Sequence, residues 1–369
     1  MKKLFLFISI ILFTFACGDD DPITEVFPNE DSFSRAEMLE FWADEIIIPA
    51  YTNYISDLDI LKESSTAFFT DPSEPNFNTF RDSYILAYTS WQQVSMFEIG
   101  KAEEIGLRNF TNIYPTNVDL IESNINNQNF DLALPSNFVA QGFPALDYLL
   151  FGKGDDDEVI VQALTSANVT TYVEALIDRL NDLSTEVLDD WNGGFRDEFV
   201  SNDGSSATAS TDKLVNDFLF YYERFLRAAK VGIPAGVFSG NTEPDRVEGL
   251  FSDIYSKLFF EAGFSSAQDF FNGISFIDGR EGVSLKQYLE EIQLTNNSDF
   301  DIAASINDNW QSAELVLIDI NANFRNQVLE DNAEMLALYD ELQKAVVSLK
   351  VDMLQALNIQ VDFVDADGD

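Results

Sequence analysis

The chain has 369 residues, of which 64 are acidic and 21 basic, and its formal net charge is −43. It contains no histidine and a single cysteine, Cys17. The lack of histidine excludes Ser-His-Asp and Cys-His triads and histidine-based zinc sites, and the negative charge disfavours nucleic acid and anionic lipid headgroups as partners.

The first 16 residues are typical of a secretory signal. Two lysines precede the apolar stretch 4–15, which is shorter than the roughly 20 residues that a membrane-spanning helix needs. Cys17 follows a small residue, as in bacterial lipoproteins that are cut and lipidated there, although a free cysteine behind an ordinary signal peptide is the alternative. The acidic run after it resembles the tethers of surface-exposed lipoproteins. We therefore expect an exported Gram-negative lipoprotein, held in the outer membrane by lipid on Cys17.

The rest of the chain has a helical pattern, because apolar residues recur three and four positions apart. Helices are predicted over 35–69, 80–100, 169–191, 247–272 and 301–324, from Thr211 as a cap onward, and over 335–357. Alternating strand patterns are scarce. The predicted fold class is all-α, with two halves that each resemble a helical bundle.

A stretch rich in glycine, serine and alanine, 193–210, interrupts the helical pattern and predicts the boundary between the halves. The predicted segments are a signal peptide (1–16), a lipidated N-terminus with an acidic tether (17–31), an N-terminal half (32–195), a linker (196–210) and a C-terminal half (211–369).

One short apolar stretch, 142–152, carries a single carboxylate, Asp147. Pro144 suits the first turn of a helix, where the missing N–H costs nothing, and Gly152 suits the C-terminal end. A carboxylate on such a helix has to find partners or shift its pKa upward. By spacing alone, a buried structural anchor and a functional group both remain open.

The same stretch resembles the signature of the imelysin family, exported bacterial proteins named for an insulin-cleaving membrane peptidase and linked to iron uptake. That signature is Gly-x-His-x-x-Glu, followed by an aromatic residue, two leucines, an aromatic residue and glycine. Here Gly142 keeps its place, Pro144 stands at the histidine, Asp147 at the glutamate, and Tyr148 begins the aromatic-leucine run.

Weaker matches extend the resemblance over most of the chain: Trp91, the Phe97-x-x-Gly100 segment, the Tyr114-Pro115 step and the C-terminal residues 354–369. The resemblance implies an all-helical fold with the motif near a cleft between two halves. It also implies an arginine and a glutamate on the helix before the motif, but Tyr88 and Ser95 occupy those positions.

These departures argue against an enzyme, because proline neither ligates a metal nor titrates. The leading hypothesis is a non-catalytic, lipid-anchored binding protein that serves the uptake of iron or another nutrient together with an outer-membrane partner. Its cleft would hold a ligand near Gly142, Pro144, Asp147 and Tyr148, with Tyr88, Trp91 and Ser95 as neighbours. Iron or another hard cation would be the metal, with Asp147 as a ligand.

Two alternatives remain. In the first, the chain is a surface interaction or scaffold protein whose site is extinct, because Tyr88, Pro144 and Phe151 fill the volume of the lost polar groups. In the second, it is a metallopeptidase that works through carboxylates alone. A closed cleft would favour the first alternative.

Overall fold

Short polar side chains at the helix starts explain where many of the helices begin. The computed structural model describes residues 33–363. Ser34 accepts the Glu37 N–H, and Asp301 accepts the Ala304 N–H, which satisfies amide groups that lack a partner inside the helix. Left-handed Gly273 ends another helix at its C-terminus.

The helices within residues 33–363 are numbered here in chain order; four of them continue through π-helical turns, and α8 is kinked at Gly194. They are α1 (Arg35–Phe41, Trp42–Ile47 and Ile48–Thr70), α2 (Glu74–Val94), α3 (Lys101–Ile105), α4 (Leu107–Thr111), α5 (Val118–Asn127), α6 (Gly142–Asp147 and Tyr148–Gly152), α7 (Asp157–Leu164), α8 (Ala167–Asp190, Trp191–Phe195 and Arg196–Ser201), α9 (Ser210–Phe220 and Tyr221–Gly232), α10 (Ser256–Asn272), α11 (Leu285–Asn296), α12 (Ile302–Leu317), α13 (Phe324–Glu330) and α14 (Asn332–Val347, Ser348–Met353 and Leu354–Leu357). Two 3₁₀ turns, Pro135–Ala140 and Pro244–Arg246, complete the set.

The predicted all-α class is confirmed. The only β-type pairing within 33–363 is an isolated bridge between Ile274 and Glu281. In this part of the chain, no helix has both the length and the apolar character needed to cross a membrane.

The core joins the predicted halves. Helices α1, α2 and α8 pack together, α14 packs on α9 and α12, and α10 lies directly against α2. All four tryptophans are buried in this core. The segment 196–210, predicted as a linker, contains the last turns of α8 and a loop, and the division into halves there remains a prediction.

Several helix boundaries in the sequence analysis are wrong, and the helices predicted over 80–100 and 301–324 end at Val94 and Leu317. The helix predicted from Val247 starts at Ser256, because Gly249 and Asp253 take positive φ angles that a helix cannot include. Thr211 lies inside α9 and does not cap it, since the capping position is Ala209. The signal peptide, Cys17 and the tether lie outside the described residues.

Candidate functional site

The motif helix α6 is pressed against the end of α4. Gly142 has a φ of +71°, and a Cβ atom built there would lie 2.1 Å from the backbone oxygen of Thr111. Only glycine fits this combination of angle and close approach. Pro144 and Asp147, which follow on the same helix, are both buried.

Asp147 holds a distant loop by its backbone. Its Oδ2 accepts the N–H of Phe251 at 2.8 Å, and its Oδ1 accepts the N–H of Ser252 at 3.0 Å. Burial raises the pKa of the Asp147 carboxyl to about 6, and the hydrogen bonds oppose that rise. Each carboxylate oxygen thus accepts one backbone N–H, and the side chain anchors residues 251 and 252 of the loop 247–255 to α6.

Aromatic rings fill the space beside α6. The ring of Tyr88 stacks on Phe143, with centroids 4.5 Å apart, and also contacts Phe259. The Tyr84 hydroxyl donates to the carbonyl oxygen of Phe143 at 3.3 Å. The Tyr148 hydroxyl instead donates to Glu122 Oε1 at 2.7 Å, and the Glu122 side chain is partly exposed to solvent.

A buried ion pair lies next to Tyr88. Lys230 of α9 contacts Glu248 of the anchored loop, and the two residues are 3% and 2% exposed. Glu248 Oε1 also accepts from Asn112 Nδ2 at 2.7 Å, from Gln92 Nε2 at 3.1 Å and from the Tyr88 hydroxyl at 3.2 Å. Burial lowers the pKa of Lys230, and the adjacent carboxylate opposes that fall.

A second charged cluster joins α4 to α9. Arg108 of α4 forms a bidentate pair with Asp217 of α9, with two N–O distances of 2.9 Å, and contacts Glu98 at 3.0 Å. It also donates to the carbonyl oxygen of Ser95. Planar bidentate pairing of this kind fixes the position of both partners.

Between the two clusters lies a cavity of about 20 Å³, lined by Trp91, Ser95, Arg108, Tyr221 and Lys230 among others. This volume suits about one water molecule. The indole N–H of Trp91 is buried without a protein hydrogen-bond partner. The space beside Trp91 therefore holds little more than a water molecule, whereas a larger cavity of about 180 Å³ borders Glu98 and Asp217.

The structure thus brings most of the predicted residues together. Gly142, Pro144 and Asp147 lie on α6, and Tyr88 of the facing helix stacks on α6. Trp91 and Ser95, farther along α2, line the small cavity, whereas Tyr148 takes part in an outer contact with Glu122.

Sequence reasoning missed the charged groups that contact these residues. Lys230 follows two alanines and precedes Val231, so a charge inside an apolar run was the available signal. Glu248 gave no such signal, because the sequence analysis placed it inside the helix predicted from Val247, whereas it lies in the loop before α10.

The donor set does not fit a resident metal at the motif. The Asp147 oxygens face amide N–H groups, and Glu248 faces an ammonium group, so a cation there would meet positive partners. Within 33–363, no group of three or more Asp, Glu or Cys side chains is arranged to hold a metal ion.

Comparisons with known proteins agree with the fold. The family model named Imelysin, peptidase family M75, matches residues 47–353. An iron-regulated protein A precursor from Parabacteroides distasonis has a similar structure, with a TM-score of 0.73 and 16% identity over 88% of this chain and 95% of that one. An imelysin-like protein from Psychrobacter arcticum is similar with a TM-score of 0.69 and 18% identity over 90% and 98%. The search of curated proteins gave no match.

Proposed function

The chain belongs to the imelysin family, and from that premise we propose that it is a non-catalytic member that acts through contact with a protein partner in the uptake of iron or another nutrient. The context of uptake comes from the resemblance and from the Parabacteroides neighbour, which is named as iron-regulated. In this proposal the protein is exported and anchored in the outer membrane by lipid on Cys17.

One observation carries the non-catalytic part: both oxygens of Asp147 accept backbone N–H groups from the loop at 251–252. A general base or a metal ligand needs a free lone pair directed at its substrate or metal. Asp147 accepts one N–H on each oxygen, and its remaining lone pairs lie in the interior, because the residue is only 2% exposed. Pro144 removes the second group of the motif. Glu248, the carboxylate that contacts Tyr88, is paired with Lys230.

A second candidate function is binding of a small ligand in the cavity beside Trp91. The observation in its favour is the buried indole N–H without a protein partner, which would donate to an acceptor atom in the cavity. The volume of about 20 Å³ limits such a ligand to about the size of water unless the loop at 247–255 moves.

Calorimetric titration and a peptide-cleavage assay on the chain from residue 33 onward test the non-catalytic role and the second candidate function. We expect no saturable binding of Fe(II), Fe(III), Zn(II), Ca(II) or haem, and no metal-dependent cleavage of an unfolded peptide. Cleavage that Asp147→Asn abolishes would overturn the non-catalytic proposal. Saturable binding that Trp91→Phe weakens, with Trp310→Phe as the control for loss of a buried tryptophan, would favour the second candidate.

A further inference from the structure

Four large aliphatic side chains lie exposed on one side of the molecule. One of them belongs to α10 and one to the turn two residues before it, and the other two belong to α12 and the residue just after it. Ile254, Leu258, Leu315 and Ile318 are between 38% and 68% exposed. We call these four residues the aliphatic patch. Single exposed apolar side chains are common on protein surfaces, whereas several that lie next to one another indicate an interaction site.

Hydrogen bonds connect α10 to α12 and to the residues that follow α12. Lys257 Nζ donates to the carbonyl oxygens of Ile318 and Ile320, at 3.2 and 3.0 Å. Farther along α10, Gln268 Nε2 donates to Glu314 Oε1 at 2.8 Å. The two helices therefore run antiparallel, side by side.

Exposed aliphatic side chains lie close in sequence to both partners of the contact between Lys257 and the end of α12. Leu258 lies on the first turn of α10 directly after Lys257, whose side chain reaches the end of α12, and Ile254 lies in the turn that precedes α10. On α12, Leu315 and Ile318 are three residues apart and share the outer face next to Glu314. The exposed side chains of both pairs thus lie near the contact of Lys257 with the end of α12.

The surroundings of the patch are acidic. Asp253, Glu261, Glu314 and Asp319 are all exposed beside it. Lys257 is the only basic residue in 250–272 and 302–322, and its ammonium group is engaged by the two carbonyl oxygens at the end of α12. An occupant of this surface would meet apolar groups in the centre and negative charge at the rim.

We propose that the aliphatic patch docks a protein segment that carries aliphatic side chains flanked by lysine or arginine. A second copy of this chain is disfavoured, because its net charge of −43 would repel the acidic rim, and an anionic lipid surface is disfavoured for the same reason. This inference rests on the proposed function, which acts through a protein partner, and it names the surface and the chemistry of that partner.

The probe for the test is a fluorescently labelled amphipathic peptide of leucine and lysine, with a leucine-glutamate peptide of the same length as its counterpart. Affinity is measured by fluorescence anisotropy on the chain from residue 33 onward. We expect Leu258→Ser with Ile318→Ser to weaken binding of the basic peptide at least about tenfold, since central apolar anchors dominate interfaces. The matched control is Ile60→Ser with Leu86→Ser, which removes two side chains of comparable type that are 43% and 44% exposed on α1 and α2.

The double variant Glu261→Gln, Glu314→Gln tests the acidic residues beside the aliphatic patch. We expect it to lower the affinity and to reduce the dependence of the affinity on salt. Equal affinity of the patch and control variants would overturn the proposal. So would self-association of the protein, or binding to vesicles of anionic lipid, that the patch variant abolishes. Because the patch variants leave the motif intact, a negative result here is separate from the metal and peptidase assays that test the non-catalytic role.

Discussion

Lys230 and Glu248 form an ion pair in the interior of the protein, and this pair joins helix α9 to the loop that Asp147 anchors. The carboxylate also accepts from Tyr88, Gln92 and Asn112. Charged and polar groups that fill the predicted cleft thus bond to one another. These contacts connect α9 and the loop at 247–255 with α2.

Loss of one member of this pair should destabilise the protein strongly. Lys230→Met leaves the Glu248 carboxylate buried without its charge partner, and we expect a loss of about 3–5 kcal/mol in the free energy of unfolding. Glu248→Gln should give a similar loss. The double variant should lose less than the sum of the two, since no unpaired charge remains. Urea unfolding measures all three, and additive losses would contradict the interpretation of a coupled pair.

Asp147 should act as an anchor of the loop. Asp147→Ala leaves the N–H groups of Phe251 and Ser252 without their acceptor, at a cost of about 1–3 kcal/mol for each fully buried group. Amide hydrogen exchange in 247–255 should become faster. The control on a neighbouring segment is Asp245→Ala, which removes only an exposed pair with Arg325 and should change stability by less than about 1 kcal/mol. Unchanged exchange in Asp147→Ala would show that the loop is held by other contacts.

The raised pKa of Asp147 also predicts a pH dependence. The folded pKa of about 6 exceeds the ordinary value of 3.8, so the folded state binds the proton more tightly than the unfolded state. The stability that this proton contributes is fully present below pH 3.8 and is lost as the pH rises through 6. Relative to Asp147→Asn, the wild type should therefore lose about 3 kcal/mol between those limits. Denaturant unfolding of both proteins at a series of pH values measures the difference, and a difference that stays constant or grows with pH would be the opposite result.

A substitution at Gly142 tests how closely α6 approaches α4. Gly142→Ala combines a positive φ with a contact of 2.1 Å to a backbone oxygen, and backbone cannot move aside as a flexible side chain can. We expect a loss of about 3 kcal/mol or more in the free energy of unfolding. Gly204→Ala is the matched control, because no atom lies within 4 Å of its Cβ position, and it should stay within about 0.5 kcal/mol of the wild type. Similar stability of the two variants would mean that α6 and α4 are not in contact at this point.

The sequence predicted the parts of this fold that depend on a repeated local pattern. The long helices α1, α2, α8 and α14 follow from apolar spacing, because each buries one stripe along its length. The motif stretch was placed correctly as a short buried helix. Short helices such as α4 and α5 were missed, since fewer than three turns give too few repeats to stand out.

The partners of the site could not be predicted in the same way. Asp147 finds its donors about a hundred residues away, on backbone N–H groups that have no side-chain signature. Glu248 reaches its position through a loop with positive φ angles at Gly249 and Asp253. Such contacts depend on how the helices pack, and spacing along the chain does not report that packing.

Restoring the histidine of the family signature should not restore a metal site. In Pro144→His the imidazole would enter a closely packed position, and we expect a loss of about 1–3 kcal/mol from overpacking. Asp147 would still be held by two amide groups and Glu248 by Lys230, so no second ligand is free. Pro144→Ala is the control that removes the proline ring without adding imidazole. The measurement is the unfolding temperature with and without Zn(II) and Fe(II), because a ligand that binds only the folded state raises it. A metal could raise the unfolding temperature of Pro144→His but not that of Pro144→Ala or of the Pro144→His, Asp147→Ala double variant. That result would mean that Asp147 exchanges its amide partners for a metal and that the loop at 247–255 opens at a small cost.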